Sequence, residues 1–206
     1  MRAALVLVGL LLAAPLGVPA TAAPSLPALF SVIGVGAGDK LNVRAAPDPK
    51  AEIVGALAPD AEGIEVVGLD PTGEWGRVNV GEGAGWVALR FLVAGPDAWA
   101  ADALPEGLRC FGTEPFWSLR PEGRTLRYAS PDGADKVLDL KAVLEVPGAA
   151  SRALVARGRM AGITAFVTPR DCSDGMSDRA FALGVDAVLE GEGAPRLLTG
   201  CCSIAP

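Results

Sequence analysis

The stretch Gly38-Asp39-Lys40-Leu41-Asn42-Val43-Arg44-Ala45-Ala46-Pro47 decides the fold of the first half of the chain. Within it, Leu41–Arg44 alternates apolar and polar side chains between turn-forming residues, which is typical of a short, half-buried strand. Working outward, the same alternation of short strands with Gly, Asp or Pro turns recurs across residues 29–95. The expected strands are Phe30–Val35, Leu41–Arg44, Ile53–Leu57, Ile64–Val67, Trp75–Val80 and Gly85–Val87. Strands this short bury a core only by curling into a small barrel or packing as two sheets.

The glycine-led L-N-V-R-x-x-P of this stretch resembles the opening signature of bacterial SH3 domains. Later segments of residues 29–95 follow in the order of that family: Ile53–Leu57, Gly63–Val66, Glu74–Val78, Gly85–Val87 and Arg90–Leu92. The resemblance implies a small, partly open barrel of the kind found in exported bacterial proteins. Members of the family often bind cell-wall peptides or other proteins, so this region is expected to be a binding module.

Arg44, Trp75 and Arg77 are the candidate ligand-binding residues of residues 29–95. Trp75 follows a turn, so partial exposure of its ring is expected, and exposed aromatic and arginine side chains favour recognition. Trp86 lies within a strand and is expected in the core, where aromatic side chains contribute most of a small domain's burial. Arg44 has a second interpretation, in which it only bonds a neighbouring carboxylate such as Asp39.

Residues 1–22 are interpreted as a secretory signal peptide. Arg2 supplies a positive start, residues 3–17 are almost continuously apolar, and Ala20-Thr21-Ala22 provides the small-x-small pattern that predicts cleavage after Ala22. The apolar run is shorter than the ~20 residues that a membrane-spanning helix needs. The expected location is therefore the periplasm or the exterior, and the mature chain is expected to have no membrane span.

The composition excludes several kinds of chemistry. The 206 residues contain no His, which excludes Ser-His and Cys-His dyads and His-ligated zinc. The net charge is −6, which is unsuited to binding nucleic-acid phosphates. Within residues 29–95, five basic residues stand against nine acidic ones, and this excess argues against anionic ligands as a class. No metal, cofactor or nucleic-acid partner is expected.

A second β-rich region, residues 108–206, follows a predicted linker at residues 96–107. The linker carries proline near both ends and three acidic residues without a base. Eight short strands with regularly spaced turns predict an antiparallel meander or barrel in the second region. Those strands are Phe116–Leu119, Leu126–Ala129, Val137–Leu140, Val143–Val146, Ala153–Ala156, Ile163–Thr168, Phe181–Val188 and Leu197–Thr199.

Two unusual motifs mark the second region. The first is Gly112-Thr113-Glu114-Pro115-Phe116-Trp117, just after Cys110, and the second is Cys172-Ser173-Asp174-Gly175-Met176-Ser177-Asp178-Arg179. With the tail Gly200-Cys201-Cys202, they resemble a family of exported bacterial proteins of unknown function that carries both motifs and ends in Gly-Cys. The resemblance covers residues 108–202 and implies a domain type without a known chemistry.

All four cysteines lie in this second region, and in an exported chain they are expected to form disulfides. Cys201 and Cys202 are adjacent, and neighbouring side chains of a strand point to opposite faces, so each should take a different partner. We favour Cys172–Cys201 with Cys110–Cys202. The cross pairing, Cys110–Cys201 with Cys172–Cys202, remains open at this point.

Glu114, Trp117, Asp174 and Arg179 are the candidate binding residues of the two motifs. Glu114 and a partner such as Asp174 or Asp178 also form a candidate catalytic pair, because two carboxylates are sufficient for glycoside hydrolysis. A β domain of this size is expected to leave little room for a deep cleft. The favoured interpretation is that Glu114 and Arg179 hold loops in place, with Asp178 and Arg179 as a local pair.

These features predict an all-β protein with an N-terminal SH3-like small barrel and a C-terminal antiparallel β-barrel or meander with disulfides. The predicted function is that of a non-catalytic exported envelope protein whose SH3-like module binds a cell-wall peptide or glycan, or an envelope protein. Two alternatives are a carboxylate-based cell-wall hydrolase acting through Glu114 and a small protein inhibitor of a wall-degrading enzyme.

Overall fold

β-strands dominate a computed structural model that describes residues 25–101, 103–147, 149–191 and 193–205. The described residues contain no α-helix, and their one helical element is a short 3-10 helix at Leu89–Phe91, so the all-β prediction is confirmed. Within the part of the chain that the structure describes, no helix is long and apolar enough to cross a membrane. The predicted signal peptide, residues 1–22, lies outside the described residues.

The first half of the chain forms one antiparallel sheet. Its strands are β1 (Ala28–Val32), β2 (Leu41–Arg44), β3 (Ile53–Leu57), β4 (Ile64–Leu69), β5 (Trp75–Val80), β6 (Gly83–Ala88) and β7 (Leu92–Ala94). They pair in the order β3-β2-β6-β5-β4-β1-β7. Fully buried valines at 43, 66, 78 and 87 form the centre of its core. Strand β7 was not expected, because three residues after a helical turn are too few to show an alternating pattern.

The second half forms a closed antiparallel barrel of eight strands. They are β8 (Arg109–Thr113), β9 (Phe116–Glu122), β10 (Thr125–Ala129), β11 (Asp135–Glu145), β12 (Arg152–Arg157), β13 (Gly162–Cys172), β14 (Phe181–Glu190) and β15 (Arg196–Ser203). Each strand pairs with the next along the chain, and β15 closes the barrel against β8. The two strands expected on either side of Lys141 are one strand, β11, because the register shifts between Leu140 and Ala142 and reverses the alternation there.

Side chains fill the interior of the barrel. Tyr128, Leu126, Leu154, Ile163 and Leu183 are fully buried in a single hydrophobic cluster. An eight-stranded barrel is just wide enough for its inward side chains to fill it. A ligand site is therefore to be sought at the ends or on the outer wall of the barrel.

Two disulfides join the C-terminal strand to the motif segments. Cys202 points into the barrel and bonds Cys110, its direct neighbour on β8, with a Cα–Cα distance of 4.0 Å. Cys201 points the other way and bonds Cys172, with a Cα–Cα distance of 5.6 Å. These are the two pairs that the sequence favoured. Two disulfides indicate folding in an oxidising, extracytoplasmic environment.

The segment between the sheet and the barrel packs tightly against the barrel. Trp99 is only 7% exposed and belongs to the hydrophobic cluster of the barrel. Its indole Nε1 donates a hydrogen bond to the carbonyl of Pro27, at 2.8 Å, on the side of the sheet. This segment therefore connects the two halves, as expected. The acidic, proline-containing composition did not reveal that the Trp99 side chain would be buried between them.

Glu65 links the sheet to the last strand of the barrel. Its carboxylate is buried and accepts hydrogen bonds from the Ser203 hydroxyl (2.6 Å) and the Ile204 amide (3.0 Å). Burial raises the pKa of Glu65 above its usual value, and the hydrogen bonds from Ser203 and Ile204 offset only part of that rise. The interface between the two halves therefore contains a carboxyl group that binds a proton more tightly in the folded state.

Replacing Glu65 by Gln should reduce the pH dependence of stability. Because the pKa of Glu65 is raised on folding, its contribution is fully present below about pH 4.3 and is lost as the pH rises through the raised value. Relative to Glu65→Gln, the wild-type free energy of unfolding should fall with pH by at most about 1.4 kcal/mol per pH unit. Urea unfolding of both proteins at a series of pH values above about 4.3 measures this difference in the free energy of unfolding. Parallel curves, or the same effect from the exposed Glu106→Gln control, would contradict this assignment.

Candidate functional site

The two sequence motifs meet on the outer wall of the barrel, beside β15, and line an open groove of about 880 Å³. We call it the motif groove. It is lined by Phe111, Gly112, Thr113, Glu114, Phe116, Arg170, Asp171, Cys172, Ser173, Asp174, Gly175, Met176, Thr199, Gly200 and Cys201. The β13–β14 connection contributes Ser173 to Met176 to the lining, and the groove is open to solvent rather than a deep cleft.

Asp174 holds the loop of the second motif, residues 173–178, which we call the motif loop. Its carboxylate accepts hydrogen bonds from the amides of Met176 (3.0 Å) and Ser177 (2.9 Å) and from the Ser177 hydroxyl (2.8 Å). Gly175 makes the turn possible with a φ of 70°. The hydroxyl of Thr113, in the first motif, donates to the carbonyl of Asp174 at 2.9 Å. The two motifs are therefore bonded to each other.

The hydrogen bonds to Asp174 also favour its ionised form. Partial burial opposes ionisation, but the bonds from Met176 and Ser177 and the nearby charge of Arg179 together hold the pKa of Asp174 below its usual range. A general acid needs the opposite, a carboxyl group whose pKa is raised towards neutrality. Asp174 is therefore a charged acceptor that shapes the loop.

Arg170 is the one cation among the described residues that line the motif groove, and it is already paired. The guanidinium of Arg170 forms two hydrogen bonds with the carboxylate of Asp186, at 2.7 and 3.2 Å. Thr199 donates a further bond to Asp186 at 3.0 Å. Gly184 leaves the space for this arrangement, since a Cβ there would lie 1.8 Å from the Arg170 Nε. The bonds from Arg170 hold the pKa of Asp186 below its usual range.

The first sheet supports the motif loop from the other side. The Asn79 side chain accepts a hydrogen bond from the Ala180 amide and donates one to the Ala180 carbonyl, both at 2.8 Å. The Asp178 amide donates to the carbonyl of Glu82 at 2.9 Å. The hairpin between β5 and β6 therefore fixes the end of the motif loop. Sequence reasoning missed Asn79, because no local pattern relates it to a residue 101 positions away.

A second, smaller site lies on the sheet. This hollow of about 250 Å³, which we call the cationic cleft, is lined by Gly34, Val35, Gly36, Asp39, Lys40, Leu41, Asn42, Arg44, Pro49, Trp75, Ala88, Arg90 and Phe91. Lys40, Arg44 and Arg90 bring three positive charges to it against the single carboxylate of Asp39. The Arg90 guanidinium stacks 4.7 Å from the centre of the Phe91 ring. The negative net charge of this half of the chain therefore does not describe the cleft.

The predicted environments of the two tryptophans were reversed. Trp75 is 8% exposed and belongs to neither hydrophobic core, whereas Trp86 is half-buried. Trp86 lies on the outer face of the sheet between its cross-strand neighbours Arg44 and Arg77. Of the three predicted binding residues, Arg44 and Trp75 line the cationic cleft, while the exposed Arg77 lies outside it.

The other candidate binding residues lie in three different environments. Arg44 donates to the carbonyl of Ala51 at 2.7 Å, in addition to lining the cleft with Asp39. Trp117 is a core residue of the barrel, because β9 alternates and its indole points inward. Glu114 is exposed on the rim of the motif groove.

Arg179 does not form the expected local pair with Asp178. Its guanidinium lies over the Phe181 ring, 5.7 Å from the centre, and its charge acts on Asp174. The amide of Asp178 donates a hydrogen bond to Glu82 of the first sheet. Among the described residues, no three Cys, Asp or Glu side chains come together in a way that could hold a metal ion.

Comparisons with known proteins identify no relative, since no family model, curated protein or solved structure matches the chain.

Proposed function

We propose that this chain is a non-catalytic binding protein of the bacterial envelope, periplasmic or secreted. In this proposal residues 29–95 form a bacterial SH3-like module, and residues 108–206 form a barrel domain of the exported family that carries the two motifs. The observation that carries the proposal is the cationic cleft, which Lys40, Arg44 and Arg90 line together with Trp75. The predicted signal peptide and the two disulfides support the location.

The chemistry of the cationic cleft favours a ligand with carboxylates. Guanidinium and ammonium groups form charge-assisted hydrogen bonds with carboxylates, and an arginine does so with a planar pair of donors. A buried tryptophan beside them offers an apolar wall for a small side chain. Peptides of the cell wall or the free carboxylates of an envelope protein fit this combination. Trp75 and Arg44 then act as binding residues, as the sequence predicted.

The geometry of the motif groove argues against the hydrolase alternative. Glycoside hydrolysis by two carboxylates needs one of them to donate a proton. Asp174, which lines the groove with Glu114, accepts three hydrogen bonds and has a lowered pKa, so it stays ionised. Glu114 is exposed to solvent, where nothing excludes water from it.

Removing two charges from the cationic cleft should weaken binding to the cell wall. We expect the purified protein to sediment with insoluble peptidoglycan at low salt, and Lys40→Gln/Arg44→Gln to bind about tenfold more weakly, which is about 1.4 kcal/mol. Arg77→Gln is the matched control, because it removes a cation from the same sheet outside the cleft. No retention of the wild-type protein at low salt, or equal losses in the double variant and in Arg77→Gln, would contradict the proposal.

A further inference from the structure

A second hollow lies between the motif loop and the first sheet. Its volume is about 420 Å³, and Glu82 lines it from the side of the first sheet. Ser173, Gly175 and Met176 line both the groove and this hollow. Because Asn79 and Glu82 hold the end of the loop against the sheet, the two hollows have fixed relative positions. We refer to the groove and this hollow together as the channel, because the same three loop residues line both.

Carboxylates without a cationic partner line this channel. Glu114 and Asp171 face the groove, Glu82 and Asp178 face the smaller hollow, and all four are exposed. Among the residues that the structure describes, Arg170 is the one cation lining either hollow, and Asp186 already neutralises it. The channel therefore presents a negative potential that is not compensated within its own walls. A ligand that fits it electrostatically carries positive charge.

Large apolar side chains stand among these carboxylates. Phe116 is 50% exposed and Met176 is 69% exposed, and both line the motif groove. Exposed aromatic and methionine side chains adapt to apolar groups of different shapes. A metal ion or a simple polyamine would leave these two residues unused. A chain that alternates basic and apolar side chains would use both the charge and the apolar surface.

We propose that the motif groove binds an extended peptide segment that carries Lys or Arg side chains beside an apolar one. The basic groups pair with Glu114 and Asp171, and the apolar side chain packs against Phe116 and Met176. This inference rests on the proposed function only in treating the chain as a binding protein. It concerns a different site from the cationic cleft, and its ligand carries positive rather than negative charge.

The test is direct binding of a labelled ten-residue peptide of alternating Lys and Leu, followed by fluorescence anisotropy. We expect saturable binding that weakens as salt is added, because exposed charges are screened. Glu114→Gln/Asp171→Asn should bind about tenfold more weakly. The control Glu106→Gln/Asp139→Asn removes two exposed carboxylates outside the groove and should bind like wild type. Melting temperatures of both variants establish that they are folded.

Three results would overturn the inference: no binding of the Lys-Leu peptide, equal binding of its Glu-Leu counterpart, or equal losses in the two double variants. Peptidoglycan sedimentation of the same wild-type sample separates this failure from failure of the proposed function. Retention on peptidoglycan without binding of the basic peptide would reject the groove assignment alone. Binding of the basic peptide without retention would reject the cell-wall ligand of the cationic cleft.

Discussion

Replacing Cys110 and Cys202 together by alanine should lower the free energy of unfolding by about 4–5 kcal/mol. The bond joins residues separated by 92 positions, so it restricts the unfolded chain strongly. Both sulfur atoms also lie in the barrel core, where their removal leaves space. Urea unfolding monitored by tryptophan fluorescence gives the midpoint and the slope.

The second disulfide provides the matched control. Cys172 and Cys201 are separated by 29 positions and lie at the wall of the motif groove. Their replacement by alanine should cost about 3–4 kcal/mol, less than the first pair. Equal midpoints for the two double variants, or a greater loss from Cys172→Ala/Cys201→Ala, would contradict this account of how the barrel is stabilised.

Arg152→Met should destabilise the protein by about 3–5 kcal/mol and release the segment that joins the two halves. The Arg152 side chain is 1% exposed and lies 3.4 Å from the Glu145 carboxylate. It donates hydrogen bonds to the carbonyls of Trp99, Ala100 and Ala103 and stacks over the Trp99 ring at 5.6 Å. Methionine fills similar space but leaves these carbonyls without a donor.

Two measurements separate this effect from a general loss of charge. Urea unfolding reports stability, and limited proteolysis reports whether residues 96–107 become accessible before the barrel unfolds. Arg127→Met is the control, because Arg127 is 42% exposed in its ion pairs with Glu122 and Asp135, and its loss should cost no more than about 1 kcal/mol. Equal effects of the two substitutions, or an Arg152→Met protein that resists cleavage in this segment, would contradict the assigned role.

Local patterns in the sequence predicted most of the strands. Alternating side chains and turn residues place strands such as β2, β3 and β5 correctly, because each is a local property of the chain. The adjacent cysteines at 201 and 202 likewise determine that each needs a separate partner, since a strand turns neighbouring side chains to opposite faces. Strand β11 could not be recognised as one strand, because the bulge near Lys141 reverses the alternation of its side chains.

The sites depended on long-range placement and were only partly predictable. The cationic cleft combines Lys40 and Arg44, from one stretch, with Arg90 and Trp75 from later segments, and no local pattern relates these segments to one another. Partial exposure of Trp75 was expected because it follows a turn, but its side chain is buried. In the barrel, the motifs identified the segments that line the groove. The contact of Asn79 with the motif loop depends on how the two halves pack.

The most direct test of the central claim is a nuclear magnetic resonance titration of the labelled protein with soluble peptidoglycan fragments, with mass spectrometry of the fragments from the same tube. A binding protein predicts shifts at the Lys40, Arg44 and Arg90 amides and at the Trp75 indole, with every fragment recovered intact. Fragments that are cleaved by the wild-type protein and not by Glu114→Gln would contradict the claim. Spectra that do not change at any fragment concentration would contradict it equally.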